Sequence, residues 1–98
     1  MKIELHPAAE AEAREAFVRY RERDTAVASR FIAALDKAIE RVEDNPERWP
    51  EYLHGTQRLL VRRFPFAIIY RVIEQRVLVV AIAHQKRRPG YWRRRGPR

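Results

Sequence analysis

The chain has 98 residues, no cysteine, 21 Lys and Arg and 13 Asp and Glu, which gives a net charge of +8. This length fits one domain, and the lack of cysteine excludes a disulfide framework and a thiolate metal site. No apolar run approaches the roughly 20 residues that span a bilayer, so we expect a cytoplasmic protein without a membrane segment.

The N-terminal quarter predicts a short strand followed by a helix. Lys2–Leu5 alternates polar and apolar side chains, as a half-buried strand does. Pro7 suits the first position of a helix, where its missing N–H is not needed. The apolar face of this helix is formed by Ala9, Ala13, Ala16, Phe17 and Tyr20. We expect the opposite face, which includes Glu12, to be a solvated surface without a function.

The second helix gives the clearest periodic signal in the sequence. Asp24 or Thr25 is suited to cap its N-terminus. Its apolar positions are Ala28, Phe31, Ile32, Leu35, Ala38, Ile39 and Val42. It must end before Pro46, because the residue before a proline is disfavoured in the helical region. Two amphipathic helices with a short polar link predict an antiparallel hairpin that packs on another layer.

The second half of the chain predicts three strands after a loop at residues 46–55. Residues 57–63 predict a strand with Leu59 and Val61 on one side and Arg58, Leu60 and Arg62 on the other. Phe66–Ile73 and Arg76–His84 are rich in β-branched and aromatic side chains, and the last strand is expected to be central. A turn at residues 74–75 joins the last two strands. The order β-α-α-β-β-β predicts an α+β fold with the helical hairpin packed on a mostly antiparallel four-stranded sheet.

The positive charge is concentrated at the C-terminal end. Residues 85–98 contain no acidic residue and seven basic ones, so the other 84 residues hold 14 basic and 13 acidic side chains. A local positive field favours nucleic acid, a ribosome or an acidic protein as partner. The alternative is a tail that serves only solubility.

Three stretches together carry a resemblance to a known family. They are ELHPAAEAEAREA, RLLVRRFPFAIIYRV and VLVVAIAHQKRRPGYW. The chain resembles the RelE/ParE superfamily, which comprises toxins of type II toxin–antitoxin modules and plasmid stabilisation proteins. The resemblance implies one toxin domain over residues 1–98, no cofactor, and a hetero-oligomer with a cognate antitoxin. We expect the antitoxin to cover the sheet edge and the basic segment, which expose the most charge and unpaired backbone.

The superfamily divides by target. RelE-like members are ribosome-dependent mRNA endoribonucleases, whereas ParE-like members poison DNA gyrase. If the chain is RelE-like, the resemblance assigns catalysis to Arg58, Arg62, Arg87, His84 and Tyr91. Three departures from the RelE-like pattern favour the ParE-like interpretation: Ala67 and Leu60 stand where an arginine and a lysine are expected, and Tyr91 comes about two positions early.

A second group of residues is predicted to contact the target or the antitoxin. It consists of Arg63, Lys86, Arg88, Trp92, Arg93, Arg94 and Arg95. Arginine suits such contacts because its planar fork binds two oxygens at once, although arginines also protect sheet edges from aggregation. Trp92 and its neighbour Tyr91 either stack on a partner or dock back onto the domain. The three histidines lack acidic companions at ligand spacing, so no metal site is predicted.

Three hypotheses follow. The first is a ParE-like toxin that acts on DNA gyrase by protein contact. The second is a ribosome-dependent endoribonuclease, and the third is an inactive or repurposed basic binding module. The expected histidine chemistry is also open, since His84 suits either proton transfer or a hydrogen bond that ends its strand.

Overall fold

A helical hairpin packs on a mixed four-stranded sheet in the computed structural model, which describes residues 1–97. The helices and strands are β1 (Lys2–Leu5), α1 (Pro7–Arg23), α2 (Thr25–Asp44), β2 (Gln57–Leu60), β3 (Phe66–Ile73) and β4 (Arg76–His84). The sheet order is β1-β4-β3-β2, with β1 parallel to β4 and the other pairs antiparallel. The predicted α+β class, element order and mostly antiparallel sheet are confirmed.

The two helices meet at a single residue, Asp24. Its extended backbone, with φ of −164°, ends α1, and its N–H donates to the Tyr20 carbonyl at 2.8 Å. Its carboxylate accepts from the Ala26 N–H at 2.8 Å and so caps α2. His6 does the same for α1, where its Nδ1 accepts from the Ala8 N–H at 3.0 Å. Side-chain caps therefore stabilise the N-terminal ends of both helices of the hairpin.

The first face of the sheet packs against the apolar stripes of the helices. Phe31 lies at the centre of this core and is fully buried. Its ring contacts those of Tyr20, Phe64 and Phe66, with centroids 5.2–5.4 Å apart. Tyr70 closes the core at its far end, where its hydroxyl donates to the Pro46 carbonyl beyond α2.

A β-bulge in β4 changes which side chains face the second side of the sheet. Ile69 pairs with Ala81 but Tyr70 pairs with Val79, so Val80 is an extra residue in the ladder. Val80 and Ala81 therefore both belong to the second apolar cluster, whereas Val79 and Ile82 belong to the first. β4 has buried apolar side chains on both faces, and the bulge places two consecutive ones on the second face.

The C-terminal segment (residues 85–97 as described) covers that second face. Trp92 is only 2% exposed and stacks on Tyr52, with ring centroids 5.6 Å apart. It packs with Ala67, Ile69 and Ala83 from the central strands. Its Nε1 has no hydrogen-bond partner within residues 1–97. The burial of the ring must offset the cost of that unpaired donor, which is about 1–3 kcal/mol. The segment docks on the domain and is not a free tail.

The extent of β2 differs from the prediction. The sequence predicted a strand over residues 57–63, but β2 ends at Leu60. The Val61 N–H donates to the Phe66 carbonyl at 2.9 Å, and Arg63 has φ of 68°, in the left-handed region. The chain therefore turns tightly at Arg62 and Arg63, and both side chains lie in a turn. The loop before β2 also contains a short 3-10 turn, Leu53–Gly55.

Neither helix is long and apolar enough to cross a membrane, within the part of the chain that the structure describes.

Phe31→Ala tests the central role of Phe31. Removing a fully buried aromatic ring leaves a cavity, so we expect the free energy of unfolding to fall by about 3–5 kcal/mol. Urea denaturation followed by circular dichroism measures this loss. Ser29→Ala, at an exposed position of the same helix, is the control and should stay within about 0.5 kcal/mol of the parent. Equal effects of the two changes would contradict the assignment.

Candidate partner-binding site

A cleft of about 200 Å³ opens on the second side of the sheet, between β2, the ends of β3 and β4, and the C-terminal segment. Four of the five residues that the RelE-like interpretation named line this cleft: Arg58, His84, Arg87 and Tyr91. Arg62 is not among the lining residues, because the early end of β2 places it in the turn. We call this feature the arginine cleft.

Aromatic rings support both guanidinium groups of the arginine cleft. The Arg58 guanidinium lies 4.1 Å from the Tyr52 ring centroid, and the Arg87 guanidinium lies 3.9 Å from that of Tyr91. Ala67 is part of the lining, and it leaves the cleft open where a larger side chain would fill it. No carboxylate is among the lining residues. The cleft therefore combines fixed positive charge with an apolar wall, an arrangement suited to an anionic group on a partner.

The two residues suited to proton transfer are both engaged. His84 Nδ1 accepts a hydrogen bond from the Lys86 N–H at 3.0 Å, so the neutral ring carries its proton on Nε2. The Tyr91 hydroxyl donates to Glu12 Oε2 at 2.6 Å. Burial, together with the hydrogen bond and charge of Glu12, raises the pKa of Tyr91. The hydroxyl therefore stays protonated at neutral pH, and neither side chain offers a free base to the cleft.

Glu12 was predicted to lie on a solvated surface, and this prediction is wrong. Its side chain is only 12% exposed and sits between α1, β4 and the C-terminal segment. Oε1 accepts from Arg95 Nη1 at 2.9 Å and from the Ile82 N–H at 3.0 Å, while Oε2 accepts from Tyr91. Arg87 adds an ion pair at 3.8 Å. We call these contacts the Glu12 network.

The contact between Glu12 of α1 and the Ile82 N–H has a structural role at the edge of the sheet. β1 pairs with β4 only as far as Val79, so the edge of β4 beyond that residue has no strand partner. Glu12 satisfies the N–H of Ile82, and Arg95 Nη1 donates to the Val80 carbonyl at 3.1 Å. The Glu12 network thus satisfies part of the open sheet edge and holds the C-terminal segment at the same time.

Arg71 holds the far end of the C-terminal segment. Its guanidinium donates to the carbonyls of Arg95 at 2.7 Å, His54 at 3.2 Å and Arg93 at 3.4 Å. Sequence reasoning did not identify this residue, although a lone arginine within the apolar strand β3 was a usable signal. Its role depends on carbonyl groups that the sequence does not place.

The predicted contact residues fall into two groups. Five are exposed, namely Arg63, Lys86, Arg88, Arg93 and Arg94. Arg95 is bound to Glu12 with its side chain 20% exposed, and Trp92 is buried. The side chains of Trp92 and Arg95 face the domain in this structure, and their contact with a partner stays a prediction.

A larger groove of about 790 Å³ lies on the other side of the open β4 edge, next to α1. Ala16, Phe66 and Ile82 contribute apolar side chains to it. Its charged lining residues are Glu12, Glu15, Arg19, Glu22, Arg23, Lys86 and Arg87. We call it the helix groove. Its apolar and charged groups match what a partner segment with both kinds of side chain would contact.

Comparison with known proteins gives the family. Residues 3–89 match the family model described as the ParE toxin of the type II toxin–antitoxin system parDE. This chain belongs to the ParE toxin family. A solved structure titled as the chromosomal ParDE system from P. aeruginosa is similar in fold, with a TM-score of 0.76 and 16% identity. The match covers 86% of this chain and 95% of that chain. No curated protein sequence matches this chain.

Membership of the ParE family confirms the predicted resemblance and the type II toxin–antitoxin context, which implies an antitoxin as partner. The family match ends at Pro89, before Trp92 and the last arginines. The docked part of the C-terminal segment therefore has to be understood from its own contacts in this ParE protein.

Glu12→Gln tests the Glu12 network. Charge-assisted hydrogen bonds contribute about 1.5–3 kcal/mol each, so losing one set of them should raise the open fraction of the C-terminal segment roughly 10- to 100-fold. Trypsin, which cuts after exposed arginine, should then cleave residues 86–95 correspondingly faster. Folding raises the pKa of Tyr91, so the stability that its hydrogen bond to Glu12 contributes is fully present at any pH below the pKa of tyrosine in the unfolded chain, which is about 10. The parent should therefore resist cleavage throughout the neutral range.

Glu15→Gln is the matched control, because Glu15 is exposed one turn further along α1 and has no ion pair within residues 1–97. It should be cleaved at the parent's rate. If Glu12→Gln is cleaved no faster than this control, the network does not hold the segment.

Proposed function

We propose that this ParE-family toxin acts in the cytoplasm by binding DNA gyrase and poisoning it, and that a cognate antitoxin neutralises it. The observation that carries the proposal is the chemistry of the arginine cleft. The cleft presents two fixed guanidinium groups, Arg58 and Arg87, without a free base. Cleavage of RNA by its own 2′-hydroxyl needs a group that removes a proton, whereas binding of an acidic partner needs only the cations.

The arginine cleft has the composition of a protein-binding hot spot. Arginine and aromatic residues supply most of the energy at protein interfaces when they line a pocket that excludes water. Stacking on Tyr52 and Tyr91 holds Arg58 and Arg87 in fixed directions, so less side-chain entropy is lost on binding. Leu60 adds an exposed apolar side chain, 62% accessible, next to these cations. The complementary surface on gyrase would be a carboxylate that pairs with these arginines, next to an apolar side chain that packs on Leu60.

For the antitoxin we propose the helix groove as the docking surface. This groove follows the edge of β4 that β1 leaves open, and its lining is both apolar and charged. The position agrees with the expectation that the antitoxin covers the sheet edge. A segment that folds on binding gains from such a groove, because it can bury an apolar stripe and pair its charges with the rim.

A supercoiling assay with the purified chain, freed from antitoxin, tests the gyrase proposal. We expect inhibition of supercoiling or trapped cleaved DNA. Arg58→Ala should raise the concentration for half-maximal inhibition at least about tenfold, which corresponds to about 1.4 kcal/mol of lost contact energy. Arg30→Ala removes an exposed charge of α2 and should leave the inhibition unchanged.

Circular dichroism of both variants shows whether the fold is retained. Unaffected gyrase with well-folded protein would refute the proposal. Cleavage of mRNA on purified ribosomes would instead support the endoribonuclease hypothesis, since four of its five predicted residues do line one cleft.

A further inference from the structure

We infer that the outward-facing cations of the C-terminal segment bind the phosphate backbone of duplex DNA directly. These cations are Lys86, Arg88, Arg93 and Arg94. Exposed cations would bind the backbone of duplex DNA or duplex RNA. We specify DNA on the basis of the proposed function, because DNA is the substrate of gyrase. The binding itself is a property of this chain and is separate from the arginine cleft.

The four cations are available because the structure leaves their charge unneutralised. All four are exposed, and none has an ion pair with a carboxylate in residues 1–97. Arg95, by contrast, forms an ion pair with Glu12 at 2.9 Å, which neutralises its charge. The acid-free composition of residues 85–98 means that no neighbour in the segment offsets the field.

The backbone that carries these cations is held in a defined shape. Hydrogen bonds close successive turns, from Tyr91 N–H to the Arg88 carbonyl at 3.2 Å and from Arg93 N–H to the Gly90 carbonyl at 3.0 Å. Gly90 has φ of 86°, in the left-handed region that favours glycine, and a Cβ there would lie 2.9 Å from His54 Nε2. A fixed backbone orders the cations before binding, which lowers the entropic cost of the complex.

The inward direction of the aromatic residues decides the kind of partner. Trp92 is buried and Tyr91 donates to Glu12, so the outer surface of the segment offers charge without an aromatic or large apolar anchor. A protein partner would need such anchors in the centre of the interface. A single nucleic acid strand would need exposed rings on which its bases stack. The phosphates of a duplex are contacted by exposed cations without aromatic anchors, and exposed cations are what the segment presents.

Fluorescence anisotropy of a labelled 20-bp duplex, titrated with the full chain, tests this inference. Each phosphate contact contributes about 0.9 to the slope of log K against log salt, so four cations predict a slope of up to about −3.6. Arg93→Gln with Arg94→Gln should reduce this slope by about 1.8 and weaken binding at every salt concentration. Sequence changes in the duplex should have little effect.

The matched control is Arg30→Gln with Lys37→Gln, which removes the same charge from exposed positions of α2. It should keep the parent's slope. Equal losses in the two double variants would refute the inference, because they would show attraction to net charge alone. Tighter binding to the single strand, or displacement of the duplex by polyglutamate at equal charge, would refute it as well. A chain that binds duplex DNA but leaves gyrase active would refute the proposed function only.

Discussion

The apolar character of β4 on both faces is the constraint on which the rest of the structure depends. Its seven central residues are all buried, and the bulge at Val80 directs two consecutive side chains to the second face. A strand of this kind needs cover on both sides of the sheet. The helical hairpin covers one side. The segment after β4 covers the other side together with Tyr52 from the loop before β2, so Trp92 and its neighbours complete the core.

Because the C-terminal segment also completes the core, some of its cations are paired within the domain and others face outward. Arg95 points inward to Glu12 and to the open edge of β4, and Arg71 binds the carbonyls of the segment from the opposite end. The other cations of the segment then face outward on a backbone that is already ordered. A segment that looks like a charged tail is thus partly a structural layer and partly an exposed cationic surface, the one proposed to bind DNA. The same contacts produce both properties.

The surfaces of this ParE-family protein favour recognition over chemistry. The arginine cleft holds cations against aromatic rings, and the two side chains suited to proton transfer, His84 and Tyr91, are occupied by hydrogen bonds. The helix groove lies beside a sheet edge whose hydrogen-bonding groups Glu12 and Arg95 partly satisfy. Cleft, groove and outward cations surround one end of the sheet. The cleft and the groove share His84 and Arg87 in their linings, so the surfaces proposed for partners adjoin one another.

Local patterns in the sequence determined the order of the elements, the helical stripe around Phe31 and the concentration of charge after β4, and they narrowed the cap of α2 to Asp24 or Thr25. Each of these depends on residues a few positions apart. Tertiary structure alone decided the rest. Glu12 and Glu15 are the same residue type on one helix, yet only Glu12 meets Tyr91, 79 positions away. Arg93 and Arg95 are likewise indistinguishable in sequence, and the fold turns one outward and the other inward. Periodicity reports which side of an element is apolar, but a polar side chain takes its role from groups that distant parts of the chain bring to it.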